Sequence, residues 1–259
     1  MPDRIRLDGK VAVVTGAAGV IGSATARLLA ERGARIVAVD RNELDLQAAV
    51  GDLPPTAQAL AVTADVTVED EVANYVRAAV DRFGTIDVFH NNAGIEGDIA
   101  PITKYSLETF RRVIDVNVVG VFLGLKHVLP VMLRQNNGSI INTASIAGLI
   151  GSPDIAVYSA SKHAVIGLTK SAAQECSATG VRVNCVCPGL IDSRMLSSII
   201  RGRNPSNAPV PDDKLVERIP ARRLGQASEV ASIVAFLASE DASYVSGSAY
   251  TVDGGRTAA

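Results

Sequence analysis

Short runs of β-branched and apolar residues alternate along this chain with longer segments whose apolar positions recur at helical spacing. KVAVVT is followed by VIGSATARLLAERG, ARIVAVD by ELDLQAAV, and ALAVTAD by VEDEVANYVRAAVDRFG. Strands covered on both faces read as continuous apolar runs, and the helices between them carry the chain back across the sheet. The alternation continues through DVFHNNAG, a helix around 106–133, SIINTAS, a helix around 156–178, VRVNCVCPG, a helix near 226–238 and a last strand near SAYTVDGG. This pattern predicts an α/β fold, a doubly wound parallel sheet of about seven strands with helices on both faces.

The rhythm lapses at about 190–222, where RGRNPSNAPVPDD gathers Pro, Asn and Gly between apolar LIDSRMLSSII and LVERIPARRL. A linker is one reading of such a stretch. Only about forty residues follow it, too few for an independent domain, so the expectation is a single domain over 1–259 with a lid at about 190–222 beside a cleft.

Composition narrows the partners. Apolar residues make up 47% of the chain and charged ones 20%, a globular balance. The formal net charge is −2 and the basic residues are scattered, so no footprint for nucleic acid or anionic membrane emerges. MPDRIRLDGKVAVVTG contains no signal-peptide core and no later segment reads as an uninterrupted bilayer span, which makes the cytoplasm the expected location. Cys176, Cys185 and Cys187 are too few for a disulfide framework, and the C-x-C pair reads as core packing on one strand face. His90, His127 and His163 have no ligand spacing, so no metal is expected.

Candidate chemistry begins where the first strand ends. Thr15-Gly16-Ala17-Ala18-Gly19-Val20-Ile21-Gly22 opens directly into a helix, and small residues there let backbone N–H groups approach a pyrophosphate at a helix N-terminus. A tight βα turn would use glycine as well. The second strand ends at Asp40, 18 residues beyond Gly22, where a carboxylate can accept bonds from the adenosine-ribose hydroxyls and repel a 2′-phosphate. NAD is therefore favoured, although Arg41 could pair with that phosphate if Asp40 turned away.

In YSASK, Tyr158 and Lys162 stand at i and i+4 on one helix face, a geometry suited to acid–base work. Bringing a phenol from its free pKa of about 10 to near neutrality takes roughly 4 kcal/mol. One cation at about 4 Å supplies on the order of 4 kcal/mol at an effective dielectric near 20, so Lys162 is expected to depress Tyr158. Tyr and Lys four apart also occur by chance on amphipathic helices; the surrounding motifs must decide.

Taken in order, TGxxxxxG, Asp40, Asp65-Val66, Asn91-Asn92-Ala93-Gly94, Asn117, Ser145, Tyr158-x-x-x-Lys162 and Pro188-Gly189 resemble the classical short-chain dehydrogenase/reductase family, over Lys10 to Gly255. The resemblance implies a Rossmann-type fold with Asn117, Ser145, Tyr158 and Lys162 as catalytic tetrad. Tyr158 would move the proton, Ser145 orient the reacting oxygen, Lys162 also hold the nicotinamide ribose, and Asn117 support a water relay. It further implies cofactor contacts from Gly16, Gly19, Ile21, Gly22 and Asp40, from Asp65 and Val66 at the adenine, from Asn92 beside the adenosine ribose, and from Ile191 and Ser193 near the nicotinamide amide. A homotetramer built on the long helices near 106–133 and 156–178 and the C-terminal segment is implied as well.

One departure stands out. The family usually carries glycine where this chain has Val20, with Gly19 beside it instead, while Gly16, Ile21 and Gly22 keep their places. The adjoining Ala18 offers no basic side chain for a 2′-phosphate, which again favours NAD. On the substrate side, Ser145, Ile155, Leu190, Met195 and Leu196 are the candidate contacts, with Ile199 and Ile200 on the lid and Ile150 and Val157 before the tyrosine. Glu96 reads as a solvated loop carboxylate or a contact at the cavity mouth.

The expected activity is hydride transfer between NAD(H) and a hydrophobic secondary alcohol or ketone. NNAGIEG, GVFLGLKHVLP and DDASYV are similar to short-chain enzymes acting on cyclic alcohols and ketones. An NADPH-dependent carbonyl or acyl-thioester reductase is the alternative, and a catalytically silent dinucleotide-binding regulator is the alternative outside the enzyme class.

Overall fold

The computed structural model describes residues 5–176, 178–204, 214 and 216–258. The part of the expected lid at 205–213 and 215 lies outside the described residues. Seven strands form one sheet: β1 Val11–Thr15, β2 Arg35–Asp40, β3 Ala59–Thr63, β4 Val88–Asn91, β5 Gly138–Thr143, β6 Val181–Pro188 and β7 Ala249–Val252. Their order is β3-β2-β1-β4-β5-β6-β7 with every pairing parallel. The direction of winding reverses between β1 and β4, and in such sheets ligands bind at the carboxyl ends beside that switch point.

Helices α1 (Val20–Glu31), α2 (Glu43–Gly51) and α8 (Ala227–Ala238) cover one face, and α3 (Glu69–Phe83), α4 (Leu107–Ile114), α5 (Gly120–Gln135) and α6 (Ala156–Cys176) the other; α7 (Arg194–Arg203) follows β6. Alternate strand residues feed two cores: Val11, Val13, Phe89, Ile140 and Cys185 under α3, α5 and α6, and Ala12, Val14, Val88, Ile141 and Val186 under α1 and α8. That division is why β1 and the centre of β2 read as near-continuous apolar runs. The helix ends follow local chemistry. Asn42 caps α2 by accepting from the Asp45 N–H, and Glu69, Asp70 and Glu71 complement the α3 dipole, which closes on left-handed Gly84.

The helix predicted around 106–133 differs from the continuous rod expected. Asp115–Val119 forms a π-helical turn between α4 and α5. Such turns occur where one extra residue is accommodated to re-aim a side chain, here Asn117. By length and composition, Leu107–Gln135 is also apolar enough to cross a membrane, contrary to the expectation that no segment would be. Between Asp115 and Arg134 its one Lys, Arg, Asp or Glu is Lys126, with Asn117 and His127 the other polar side chains. Here that apolarity serves the core, with Val113, Val121, Leu123, Leu125, Val128 and Met132 buried.

The β4 core position His90 is fully buried, and burial pushes its pKa from 6.5 down to about 3. The folded chain therefore keeps the ring neutral at pH values where the unfolded chain protonates it. Stability must fall as pH drops below about 6.5. Relative to His90→Gln, the parent is expected to lose about 2 kcal/mol of unfolding free energy between about pH 6.5 and 4.5, measured by urea unfolding. Equal losses in the two proteins would contradict a neutral buried imidazole.

Candidate active site

At the end of β1 the chain turns on Gly16, whose φ of +64° lies in the left-handed region that favours glycine. Gly19 stands at the N-cap of α1, where no side chain caps the helix and the first turn holds no acidic residue. The leading N–H groups of Val20, Ile21 and Gly22 thus keep their donors for an external anion, unlike those of α2 and α3. Val20, at the family's usual glycine position, turns its side chain outward and is 44% exposed, so the substitution leaves the turn's interior unfilled. Asp40 closes the cradle from β2: its carboxylate accepts from the Ala18 N–H at 3.1 Å and the Asn42 N–H at 3.2 Å.

Asn92 proves to be the clamp of this turn. Its Nδ2 donates to the carbonyls of Thr15 at 3.0 Å and Gly16 at 3.3 Å, and its Oδ1 accepts from the Thr143 hydroxyl at 3.1 Å. Asp65 Oδ1 accepts from the N–H and hydroxyl of Thr67, and Val66 packs against Gly120 beyond the π turn. The donor-rich turn and the acid at the end of β2 fit a nicotinamide dinucleotide, its pyrophosphate at the start of α1.

The catalytic candidates converge at the carboxyl ends of β4, β5 and β6. Ser145 and Tyr158 are both buried, and the serine hydroxyl is near enough to the phenol to lower its pKa. Lys162, buried one helical turn on, donates from Nζ to the Thr143 carbonyl at 2.8 Å and lies 5.6 Å from the centroid of the Tyr158 ring. Asn117, fully buried, is held by the backbone of Ile95, accepting from its N–H at 2.8 Å and donating to its carbonyl at 2.9 Å, and donates to Ser161 Oγ at 3.0 Å. Gly94 sits between Asn117 Oδ1 and Lys162 Nζ, either of which a Cβ there would crowd. The π turn makes this convergence possible.

The electrostatics correct one expectation. Tyr158 is pushed up to about 12, chiefly by burial; the Ser145 hydroxyl draws it down, and the Glu96 charge pushes it up. Burial likewise pushes Lys162 down to about 8. A pocket this dry penalises phenolate more than an ammonium directed at a carbonyl favours it, so Lys162 alone does not bring the phenol to neutrality. Charge arriving with the bound partners has to supply the difference.

Around the phenol, Ala147 and Ile155 form a small apolar cluster with partly buried Ile99 and Met195. Ile99 and Ala147 escaped the sequence reading because neither belongs to a motif. Leu190 lines a different cleft with Ile219, Gly225 and Val252, Leu196 is the buried residue of α7, Val157 is buried and Ile150 is 40% exposed. Ile191 joins the core beneath α8. Ser193 caps α7, accepting from the Leu196 N–H and donating to the Ile191 carbonyl. Cys187 lies behind the site beside the Ser145 backbone, and all three cysteines are free and buried.

A family model described as enoyl-(acyl carrier protein) reductase matches residues 16–257. The chain belongs to the short-chain dehydrogenase/reductase family. Among the similar members, levodione reductase of Leifsonia aquatica is 40% identical over 257 residues, 98% of this chain and 96% of that one. A solved levodione reductase structure superposes with a TM-score of 0.95 at 39% identity, covering 98% and 100% of the two chains. Cyclohexanol dehydrogenase of Acinetobacter sp. (strain SE19) is 42% identical over 253 residues, 97% and 96% of the two chains. NAD+-bound xylitol dehydrogenase superposes with a TM-score of 0.92 at 37% identity, covering 96% and 99%. Like other members of this short-chain family, the protein is a nicotinamide-dependent oxidoreductase of the alcohol–carbonyl couple.

Proposed function

We propose that the protein oxidises apolar, cyclic secondary alcohols to ketones with NAD, and catalyses the reverse reduction, using Tyr158 as the proton-transfer residue. The observation that carries this reading is Tyr158, beside Ser145 and packed with Ala147, Ile155, Ile99 and Met195 one helical turn from Lys162. An apolar pocket with two convergent hydroxyls suits an uncharged carbinol. The cyclic alcohols and ketones named for its relatives are of that kind.

In oxidation Tyr158, having released its own proton along the path to solvent, takes the carbinol O–H proton as the phenolate while the C–H bond breaks with its electron pair, giving a ketone. The bound nicotinamide supplies the acceptor of the electron pair and a positive charge next to the phenol. Ser145 holds the substrate oxygen against the phenol. Lys162 binds the ribose beside the nicotinamide, and Asn117 keeps the Ile95 backbone in place at the end of a proton path. The turn Gly16–Gly22 and the α1 N-terminus hold the pyrophosphate, Asp40 the adenosine ribose, Asp65 and Val66 the adenine edge, and Ile191 and Ser193 the amide end. We take α7 as the lid of one catalytic domain.

Outward-facing Leu107, Phe110, Phe122 and Leu133 on α4 and α5 support a homotetramer, and three free thiols suit the reducing cytoplasm. The test is NADH formation at alkaline pH with cyclohexanol and an alcohol panel, run with NAD and with NADP. NAD is expected to be preferred, and Asp40→Ala to weaken NADH binding about tenfold while narrowing that preference, as loss of a charged acceptor should. A parent that prefers NADP would sink the assignment of Asp40.

A further inference from the structure

Three residues outside the proposed proton-transfer set, His90, Thr143 and Asn92, form a chain of hydrogen bonds that passes from the core under α1 and α8 to the glycine turn. We propose that His90 is a positioning residue: by donating to Thr143 it fixes the residue whose carbonyl holds Lys162 and whose hydroxyl holds the clamp on Gly16. The proposal rests on reading Tyr158 and Lys162 as the proton-transfer pair.

Hydrogen-bond directions along the chain leave little choice. Asn92 spends its amide protons on the Thr15 and Gly16 carbonyls, so its Oδ1 is the acceptor facing Thr143. The single Thr143 hydroxyl proton goes there, at 3.1 Å. The same hydroxyl lies 2.9 Å from His90 Nε2 and must accept from it, which places the proton of the neutral ring on Nε2. Nδ1 is then a bare acceptor, and it is buried without a partner. Val14 and Ile141, in register with His90 on the neighbouring strands, offer it none.

Burying an acceptor without a partner is costly, and an apolar residue at this position would avoid that cost. The imidazole supplies one directed N–H in return. Thr143 therefore has both polar groups engaged: its hydroxyl sits between His90 and Asn92, and its carbonyl accepts from Lys162 at 2.8 Å. Through this one residue the ammonium and the phosphate turn share a fixed reference. Releasing the hydroxyl frees the last residue of β5 to rotate, and both ends of the cofactor site loosen together.

The test is NADH binding by fluorescence titration, with cyclohexanol kinetics alongside. His90→Leu is expected to weaken NADH binding about tenfold and to lower kcat, whereas His90→Gln, whose amide nitrogen reaches the Nε2 position, stays within about threefold of the parent. His90→Asn, which reaches only the Nδ1 position, should resemble the Leu variant. Thr143→Val should show the same loss, and adding His90→Leu to it should cost nothing more, because the shared contact is already gone. A Gln variant as poor as the Leu variant, or losses at 90 and 143 that multiply, would overturn the proposal. If the Leu variant does not fold, equal NADH affinities in the Gln and Asn variants overturn it. Tyr158→Phe separates the two readings: full turnover there would sink the proton-transfer assignment and leave the NADH pattern at 90 and 143 standing.

Discussion

Tyr158→Phe is expected to lower turnover of cyclohexanol by about three orders of magnitude, within the range that a positioned acid–base group contributes. NADH affinity should stay near that of the parent, because the hydroxyl is the only group removed. Folding should not suffer, since the ring keeps its place against Ala147 and Ile155. The hydroxyl's environment makes the size of the effect plausible in physical terms. Tyr158 is pushed up to about 12 in the protein alone, so ionisation is postponed until cofactor and substrate are in place. Held protonated by burial, the phenol can give its proton to a ketone oxygen in the reduction; in the oxidation it must first ionise, once the cofactor's positive charge is in place, before it can take the carbinol proton. Measurement of kcat for the two proteins under saturating NAD checks this directly. A Phe variant with undiminished kcat would remove Tyr158 from the chemistry.

The fold and the juxtaposition of Tyr158 and Lys162 were legible in the sequence for different reasons. Continuous β-branched runs such as VAVVT can only be strands buried on both faces, and the i, i+4 spacing of Tyr158 and Lys162 places them on one helix face whatever surrounds them. What escaped were contacts made by backbone. Nothing in a sequence says that Lys162 will donate to the carbonyl of Thr143, because every residue carries that carbonyl. The π turn at Asp115–Val119 was hidden likewise: DVNVV has ordinary helical character, and only packing against the Ile95 backbone shows why one extra residue is taken in there. The charge argument for Lys162 failed on burial, which three-dimensional packing sets. Leu190 and Met195 are both apolar residues of the expected lid, yet only Met195 packs on the Tyr158 cluster, because the chain bends at Asp192–Ser193 before α7 begins.

Gly22→Ala is the second large effect expected. A Cβ on Gly22 would lie inside the contact distance of the Gly16 carbonyl, and close upon the Ala17 Cα as well. All of these atoms are backbone, so no rotamer change can relieve the overlap. Either α1 shifts along its axis or Gly16 leaves its left-handed conformation, and in both cases the N–H groups at the start of α1 no longer point where a pyrophosphate would sit. Overpacking of this kind costs about 1–3 kcal/mol or more of stability. NADH affinity is expected to fall by about a hundredfold, equivalent to ~2.7 kcal/mol. Gly51→Ala provides the control: it closes α2, nothing lies within 4 Å of its Cβ, and the change should leave NADH binding unaltered. The comparison also bears on the departure at Val20. If the turn works through Gly16 and Gly22, the exposed Val20 side chain is tolerated because the close approach happens on the other side of the helix end. Unchanged NADH titrations for Gly22→Ala would instead mean that the dinucleotide is held elsewhere on the sheet edge.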